Sequence, residues 1–245
     1  MSVYQEILKY KLQNKKLLAI LLDPDKVDWI GIDELIMRIN QSPATHIFVG
    51  GSLVLSAKID DLIVKIKQNC SLPVVLFPGN PSQISGMADG ILFLSLISGR
   101  NPVFLIEHQV NAVPLLKKTK LEVIATGYIL IDGGNETAVA KVSQTKPLDA
   151  TNSDYITQTA QAGEMLGNQL IYLEAGSGAL IPVSSKIIQQ VSENIQIPLI
   201  VGGGIYNKAA IYFDYNAPII TNETYHTIGR DFIQVNLIST IKNSR

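Results

Sequence analysis

Short apolar runs recur along the whole chain, each followed by turn residues and most then by a helical pattern. The runs are Leu17–Leu22, His46–Val49, Val74–Phe77, Gly90–Leu94, Val123–Ala125, Leu170–Leu173, Leu199–Val201 and Pro218–Ile220, which gives eight candidate strands. Continuous apolar runs, unlike alternating ones, suit parallel strands covered on both faces. Helical spacing fills most of the intervals, over Ile32–Ile39, Ala57–Gln68, Val103–Lys117, Asp154–Leu166, Ser184–Val191 and Lys208–Tyr212. Eight β units alternating with helices predict a closed (β/α)8 barrel of the TIM type, not an open doubly wound sheet. The 245 residues match the roughly 250 that such a barrel needs as one domain. No composition break marks a second domain, so 1–245 reads as a single barrel domain. The segment before the first strand reads as an amphipathic helix, with Val3, Ile7 and Leu8 at helical spacing. The longest connection, Gly127 to Asn168, carries Gly133-Gly134, Pro147 and one helical pattern. It predicts an elaborated loop over the barrel.

Composition narrows the function classes. Hydrophobic residues make up 47% and charged residues 17%, which excludes intrinsic disorder. Twenty Lys and Arg against 21 Asp and Glu leave a formal charge of -1. No global positive field is available for nucleic acid or an anionic membrane, so no nucleic-acid partner is expected. A single cysteine, Cys70, excludes an internal disulfide framework and a cysteine-rich zinc site, and a cytoplasmic setting is expected. The apolar run Leu17–Leu22 stops at Asp23, well short of the roughly 20 residues that span a bilayer. The mean hydropathy of +0.22 then reflects buried strands or an apolar binding groove.

In a barrel of this type the chemistry sits on the loops after the strands. Those loops read Asp23-Pro24-Asp25-Lys26, Gly50-Gly51-Ser52, Pro78-Gly79-Asn80-Pro81, Ser95 with Ser98-Gly99-Arg100, Thr126-Gly127-Tyr128, Glu174-Ala175-Gly176-Ser177-Gly178 and Gly202-Gly203-Gly204. Glycines there can simply permit tight turns. They can also let backbone N–H groups approach an anion beside a helix N-terminus. Two such turns on neighbouring strands favour a phosphate cradle. Asp23 suits either a turn before Pro24 or a Mg²⁺ ligand acting with substrate phosphate oxygens. Ser52 suits a helix N-cap as well as a ligand. Glu174, beside the cradle, suits a salt bridge or a proton acceptor for a substrate hydroxyl.

Seven motifs taken in order are more specific. They are LLDPDK (21–26), FVGGS (48–52), FPGNPSQIS (77–85), ADGILFLSLISGRNP (88–102), TGYILIDGG (126–134), AGEMLGNQLIYLEAGSGA (162–179) and PLIVGGGI (198–205). Together they resemble the geranylgeranylglyceryl phosphate synthases and their heptaprenylglyceryl relatives, in the branch with LLDPDK on strand one. The resemblance implies a (β/α)8 barrel and a Mg²⁺-dependent prenyl transfer. A geranylgeranyl or related group would pass from its diphosphate to the 3-hydroxyl of sn-glycerol 1-phosphate, giving an ether-lipid precursor. By the same resemblance Asp23 and Ser52 are the metal positions. Tyr172, Leu173, Glu174, Ala175, Gly176, Ser177, Gly178, Gly203 and Gly204 form the glycerol-phosphate site, with Glu174 receiving the hydroxyl proton. It also implies a homo-oligomer, a hexamer or a dimer, and transient membrane contact when the product leaves. The polyprenyl tail needs an apolar groove, for which Phe104, Tyr128 and Ile129 are candidates.

The sequence departs from the family pattern after the eighth run. The stretch Asn216 to Thr224 lacks the usual Gly-Asn pair and places Glu223 where phosphate is expected. Ala125 stands where a proline commonly precedes Thr-Gly-Tyr. These departures motivate an alternative, a degenerate barrel that binds prenyl diphosphate or another phosphorylated ligand without turnover.

Overall fold

A computed structural model describes residues 2–13, 15–51, 58–205 and 233–239. Its strands are β1 (Leu17–Leu22), β2 (His46–Val49), β3 (Val74–Leu76), β4 (Gly90–Leu96), β5 (Glu122–Leu130), β6 (Leu170–Glu174), β7 (Leu199–Gly202) and β8 (Ile233–Ser239). They close in sequence order into one barrel. Six parallel pairings join β1 through β7. The eighth strand differs from the sequence expectation. It is Ile233–Ser239 and runs antiparallel to both β7 and β1. The run Pro218–Ile220 and the helical pattern Lys208–Tyr212 lie outside the described residues.

The helices are α1 (Val3–Leu12), α2 (Ile32–Gln41), α3 (Ile59–Asn69), α4 (His108–Leu116), α5 (Ala138–Ser143), α6 (Ser153–Met165) and α7 (Ser185–Asn194). A wide helical turn, Val103–Glu107, leads directly into α4. Helical spacing located these helices except α5, a short second helix in the Gly127–Asn168 connection where the sequence predicts one, since spacing reports which face is apolar. It could not distinguish the wide turn from the α-helix that continues it.

The continuous apolar strands are explained by two separate cores. Leu17, Ala19 and Leu21 point into the barrel with Phe48, Val75, Leu92, Ile124, Tyr172 and Ile200. Leu18, Ile20 and Leu22 point outward, packing with Ile47, Ile91, Ile171 and the helices. Along β1 alternate residues serve the two cores, so that strand has no position left for a polar face.

Helix α1 closes the end of the barrel away from the strand-end loops. Its Val3 and Ile7 join the inner core, while Leu8 is only half-buried. The Glu122 carboxylate, at the start of β5, accepts hydrogen bonds from the Val3 N–H at 2.6 Å and the Tyr4 N–H at 3.1 Å. A carboxylate at a helix N-terminus satisfies free donors and complements the helix dipole. Glu122→Ala strips both donors of their acceptor, with an expected loss of about 1–2 kcal/mol. For a domain of this size that lowers Tm by roughly 2–8 °C. An unchanged melting curve would show that α1 is held by its apolar face alone.

Candidate active site

The loops after β1 to β7 meet around a cavity of about 640 Å³. At one side Asp23, Asp25, Lys26 and Gly51 line it, from the loops after β1 and β2. At the opposite side stand Glu174, Ser177, Gly178 and Gly204, from the loops after β6 and β7. Phe77 and Tyr128 form the floor between them. Short helix α5, within the predicted loop over the barrel, contributes Ala138, Val139 and Val142 to the wall.

Glu174 is 1% exposed and ends β6 facing into the barrel. Its Oε1 accepts from the Gly176 N–H at 2.7 Å. The Tyr172 phenol, two residues earlier on the same face, is also hydrogen-bonded to it. Gly203 has φ of +80°, and a Cβ there would lie 2.3 Å from Glu174 Oε1. Only glycine permits both that backbone and that approach. Thus the two glycine turns are built against the carboxylate as well as around the cavity.

The residues that the motifs assigned to glycerol phosphate separate into four groups. Glu174, Ser177, Gly178 and Gly204 line the cavity. Tyr172 lies fully buried beneath it, stacked on Phe77 with centroids 5.1 Å apart and tilted to Tyr128 at 5.2 Å. Gly176 and Gly203 stand behind Glu174. Leu173 and Ala175 face the opposite way, into the layer between barrel and helices, because side chains alternate along a strand. Ile129 faces that outer layer for the same reason and does not line the groove. Phe104 and Tyr128 do line it.

Asp23 is held in place from two sides. Its Oδ1 accepts from the Asp25 N–H at 3.1 Å, and Lys26 Nζ lies 3.0 Å from its Oδ2. A Cβ on Gly51 would come within 2.8 Å of that Oδ2. Ser52 lies outside the described residues, as do Asn216 to Thr224 with Glu223. Mg²⁺ takes one or two carboxylates and completes its shell with water and phosphate oxygens. Asp23 with Asp25 nearby fits that demand. Among the described residues no three His, Cys, Asp or Glu side chains cluster as a metal cage.

From this polar mouth a groove leaves the barrel between β3 and β4. Strand β3 pairs with β4 only at Val75 and Leu76. Beyond it Phe77 turns into Pro78, which has no N–H to continue the ladder. The Gln109 amide of α4 instead donates to the Leu94 carbonyl, and Ser95 Oγ donates to the Leu105 carbonyl at 2.6 Å. Both faces of β4 then border the cavity, Leu92 and Leu94 inside, Ile91 and Phe93 outside. Phe104, His108 and Ala112 form the far wall, with the His108 ring edge-on to Phe104 at 4.7 Å.

Two residues beside the cavity have no role in it on sequence grounds, His108 reading as a structural histidine. Gln83, 2% exposed, accepts from the Gly79 N–H at 3.1 Å and donates to the Gly51 carbonyl at 3.0 Å. It staples the loops after β2 and β3 together. Its one signal was its place inside the FPGNPSQIS motif, which holds Asn80 as a second amide. His108 carried a signal too, four residues after Phe104 and so on the same helix face. Burial holds its pKa below the usual histidine value, against the opposing pull of Glu107.

A family model described as the PcrB family matches residues 10–228. The chain belongs to this family. Geranylgeranylglyceryl phosphate synthase of Flavobacterium johnsoniae is 63% identical over 216 residues, covering 88% of this chain and 89% of that one. The protein of the same name from Korarchaeum cryptofilum is 36% identical over 219 residues, covering 89% and 90%. Among solved structures, wild-type GGGPS from Thermoplasma volcanium has a TM-score of 0.82 at 30% identity, covering 93% of this chain and 95% of that one. The (S)-3-O-geranylgeranylglyceryl phosphate synthase of Thermoplasma acidophilum, solved with sn-glycerol-1-phosphate, has a TM-score of 0.81 at 28% identity, covering 94% and 88%. The membership inferred from seven motifs therefore holds for the family, as does the barrel.

Two tyrosines report on the site. Burial, then the negative charge of Glu174, raises the pKa of Tyr128 and Tyr172 well above 10.0. Their neutral forms are favoured in the folded protein, so the stability they contribute is complete below about pH 10 and declines as pH rises beyond it. In a spectrophotometric alkaline titration, Tyr128→Phe and Tyr172→Phe should remove no amplitude from the phase near pH 10. Loss of that amplitude would place the phenol in solvent.

Proposed function

We propose that the protein transfers a geranylgeranyl or related polyprenyl group from its diphosphate to the 3-hydroxyl of sn-glycerol 1-phosphate. The observation that carries this reading is one cavity with three chemically distinct parts. A buried carboxylate, Glu174, stands beside glycine turns on one side. An acidic, lysine-bearing mouth faces it. An apolar groove leads away between β3 and β4. An anionic headgroup, a diphosphate and a hydrocarbon tail each find a matching environment.

The residues suggest the following division of work. Backbone N–H groups of the turns at Ser177–Gly178 and Gly204 would take the glycerol phosphate. The acceptor's 3-hydroxyl would then lie against Glu174. Asp23 and Ser52 would hold Mg²⁺, with Asp25 nearby, and when bound it supplies positive charge against the departing diphosphate. The bond from the allylic carbon to the diphosphate oxygen breaks, and the electron pair leaves with the diphosphate. The glycerol oxygen forms the new ether bond to that carbon, and its proton passes to Glu174. Phe77, Tyr128 and the wall residues of α5 would keep water from capturing the carbon first. Along the groove each buried CH₂ contributes about 0.8 kcal/mol, so the tail provides most of the donor's affinity.

The direct test supplies labelled sn-glycerol 1-phosphate, Mg²⁺ and a series of prenyl diphosphates, and follows label into the organic phase. Transfer is expected, with loss on EDTA treatment and return on adding Mg²⁺. Glu174→Gln should lower kcat by about 10²–10⁴ while acceptor binding changes less. No transfer from a folded protein that still binds prenyl diphosphate would establish the degenerate barrel instead.

A further inference from the structure

The outer surface of the groove helix is unlike an ordinary solvated helix face. Ile106, Val110 and Val113 follow at spacings of four and three, so they form one stripe. They are 59%, 60% and 40% exposed. Lys117 continues the stripe at the next spacing of four, and exposed Lys118 and Lys120 stand beside it. Among the described residues none of the three lysines forms an ion pair. From 103 to 120 the only acidic residue is Glu107. The inner face of the same helix carries His108, Gln109 and Ala112 into the groove.

We propose that this face of α4 docks the protein on an anionic lipid surface. The docking rests on the prenyl-transfer reading, which requires a donor and a product that reside in a membrane. An apolar stripe ending in unpaired cations is the pattern of a helix lying in the plane of an interface. Lysines near an anionic leaflet add about 1 kcal/mol each, which complements an overall charge near zero. A second copy of the chain is the less fitting occupant. Stable protein interfaces need about 20–30 residues a side, and a single helical stripe with a lysine cluster at one end offers far fewer. Docking in this orientation would lay one wall of the groove against the membrane that holds the hydrocarbon tail.

Flotation of the full chain with vesicles of phosphatidylcholine, alone and mixed with phosphatidylglycerol, tests this. Binding is expected to the mixed vesicles and to weaken with added salt. Lys117→Glu with Lys118→Glu should lower the partition constant at least about thirtyfold. Val110→Asp should lower it about tenfold or more by burying a charge in the apolar stripe. Both variants should keep their melting temperature and their turnover of detergent-dispersed donor, since none of these side chains lines the cavity. Equal binding to both vesicle types, or binding unaffected by both variants, overturns the proposal. So does a dimer in sedimentation that Val110→Asp alone dissociates, without any vesicle binding, which gives the face to a second copy. Vesicle binding without prenyl transfer would retain the surface and reject the catalytic reading. Transfer from dispersed donor without vesicle binding would do the reverse.

Discussion

A carboxylate in the mouth of a hydrocarbon-lined barrel governs the rest of this site. Taking an ionised carboxylate out of water costs several kcal/mol unless hydrogen bonds replace the lost hydration. Glu174 gains the Gly176 N–H and the Tyr172 phenol. Each charge-assisted bond contributes about 1.5–3 kcal/mol, so two of them offset much of that cost. Further consequences follow from their geometry. The loop after β6 must bend back at once to present its N–H, and the loop after β7 can carry no side chain at Gly203. Both glycine turns, which also suit an anion, are therefore fixed by the acid they surround. The buried carboxylate and the two glycine turns form one structural unit.

The second constraint is the early end of β3. A complete barrel wall would enclose a small polar pocket with no exit for a long chain. Pro78 ends the ladder; the Gln109 amide then donates to the Leu94 carbonyl of β4, and Ser95 Oγ ties the strand to the wide turn through the Leu105 carbonyl. The backbone of β4 remains satisfied while its two faces stay open to the groove. Gln83 compensates on the other side of the opening by tying the loops after β2 and β3. The opening is thus stabilised by amides whose local sequence gives no catalytic signal.

These mechanisms also explain what could be read in advance. Strand positions were legible because each residue of Leu17–Leu22 or Ile47–Val49 faces one of two apolar cores, so the run is uninterrupted. Asp23, Glu174 and the glycines were legible because they end such runs, where a barrel places its chemistry. Which way a side chain points was less legible near the strand ends. The motif 172–178 is continuous in sequence, yet alternation sends Leu173 and Ala175 away from the cavity while Glu174 enters it. The last strand was illegible for another reason. The run at Pro218–Ile220 has the composition of a strand, but the register partners of β1 and β7 are Ile233–Ser239. Composition can identify a strand former. It cannot say which former closes a barrel, because that depends on pairing partners far away in the chain.

Helix α4 joins these threads. Its position is set by the bonds that repair the opened barrel edge, so its inner face must form the groove wall. A helix held by one narrow inner face leaves the rest of its circumference to solvent. Ordinary surface helices fill that arc with charges of both signs. Here the arc carries Ile106, Val110 and Val113 with lysines grouped at one end. An apolar arc exposed to water is unfavourable for a monomer and supplies nothing to the barrel core. It becomes useful only where the environment outside the helix is itself apolar and negatively charged at its boundary. The same element would then face hydrocarbon on both sides, the substrate tail within the groove and the lipid surface beyond it.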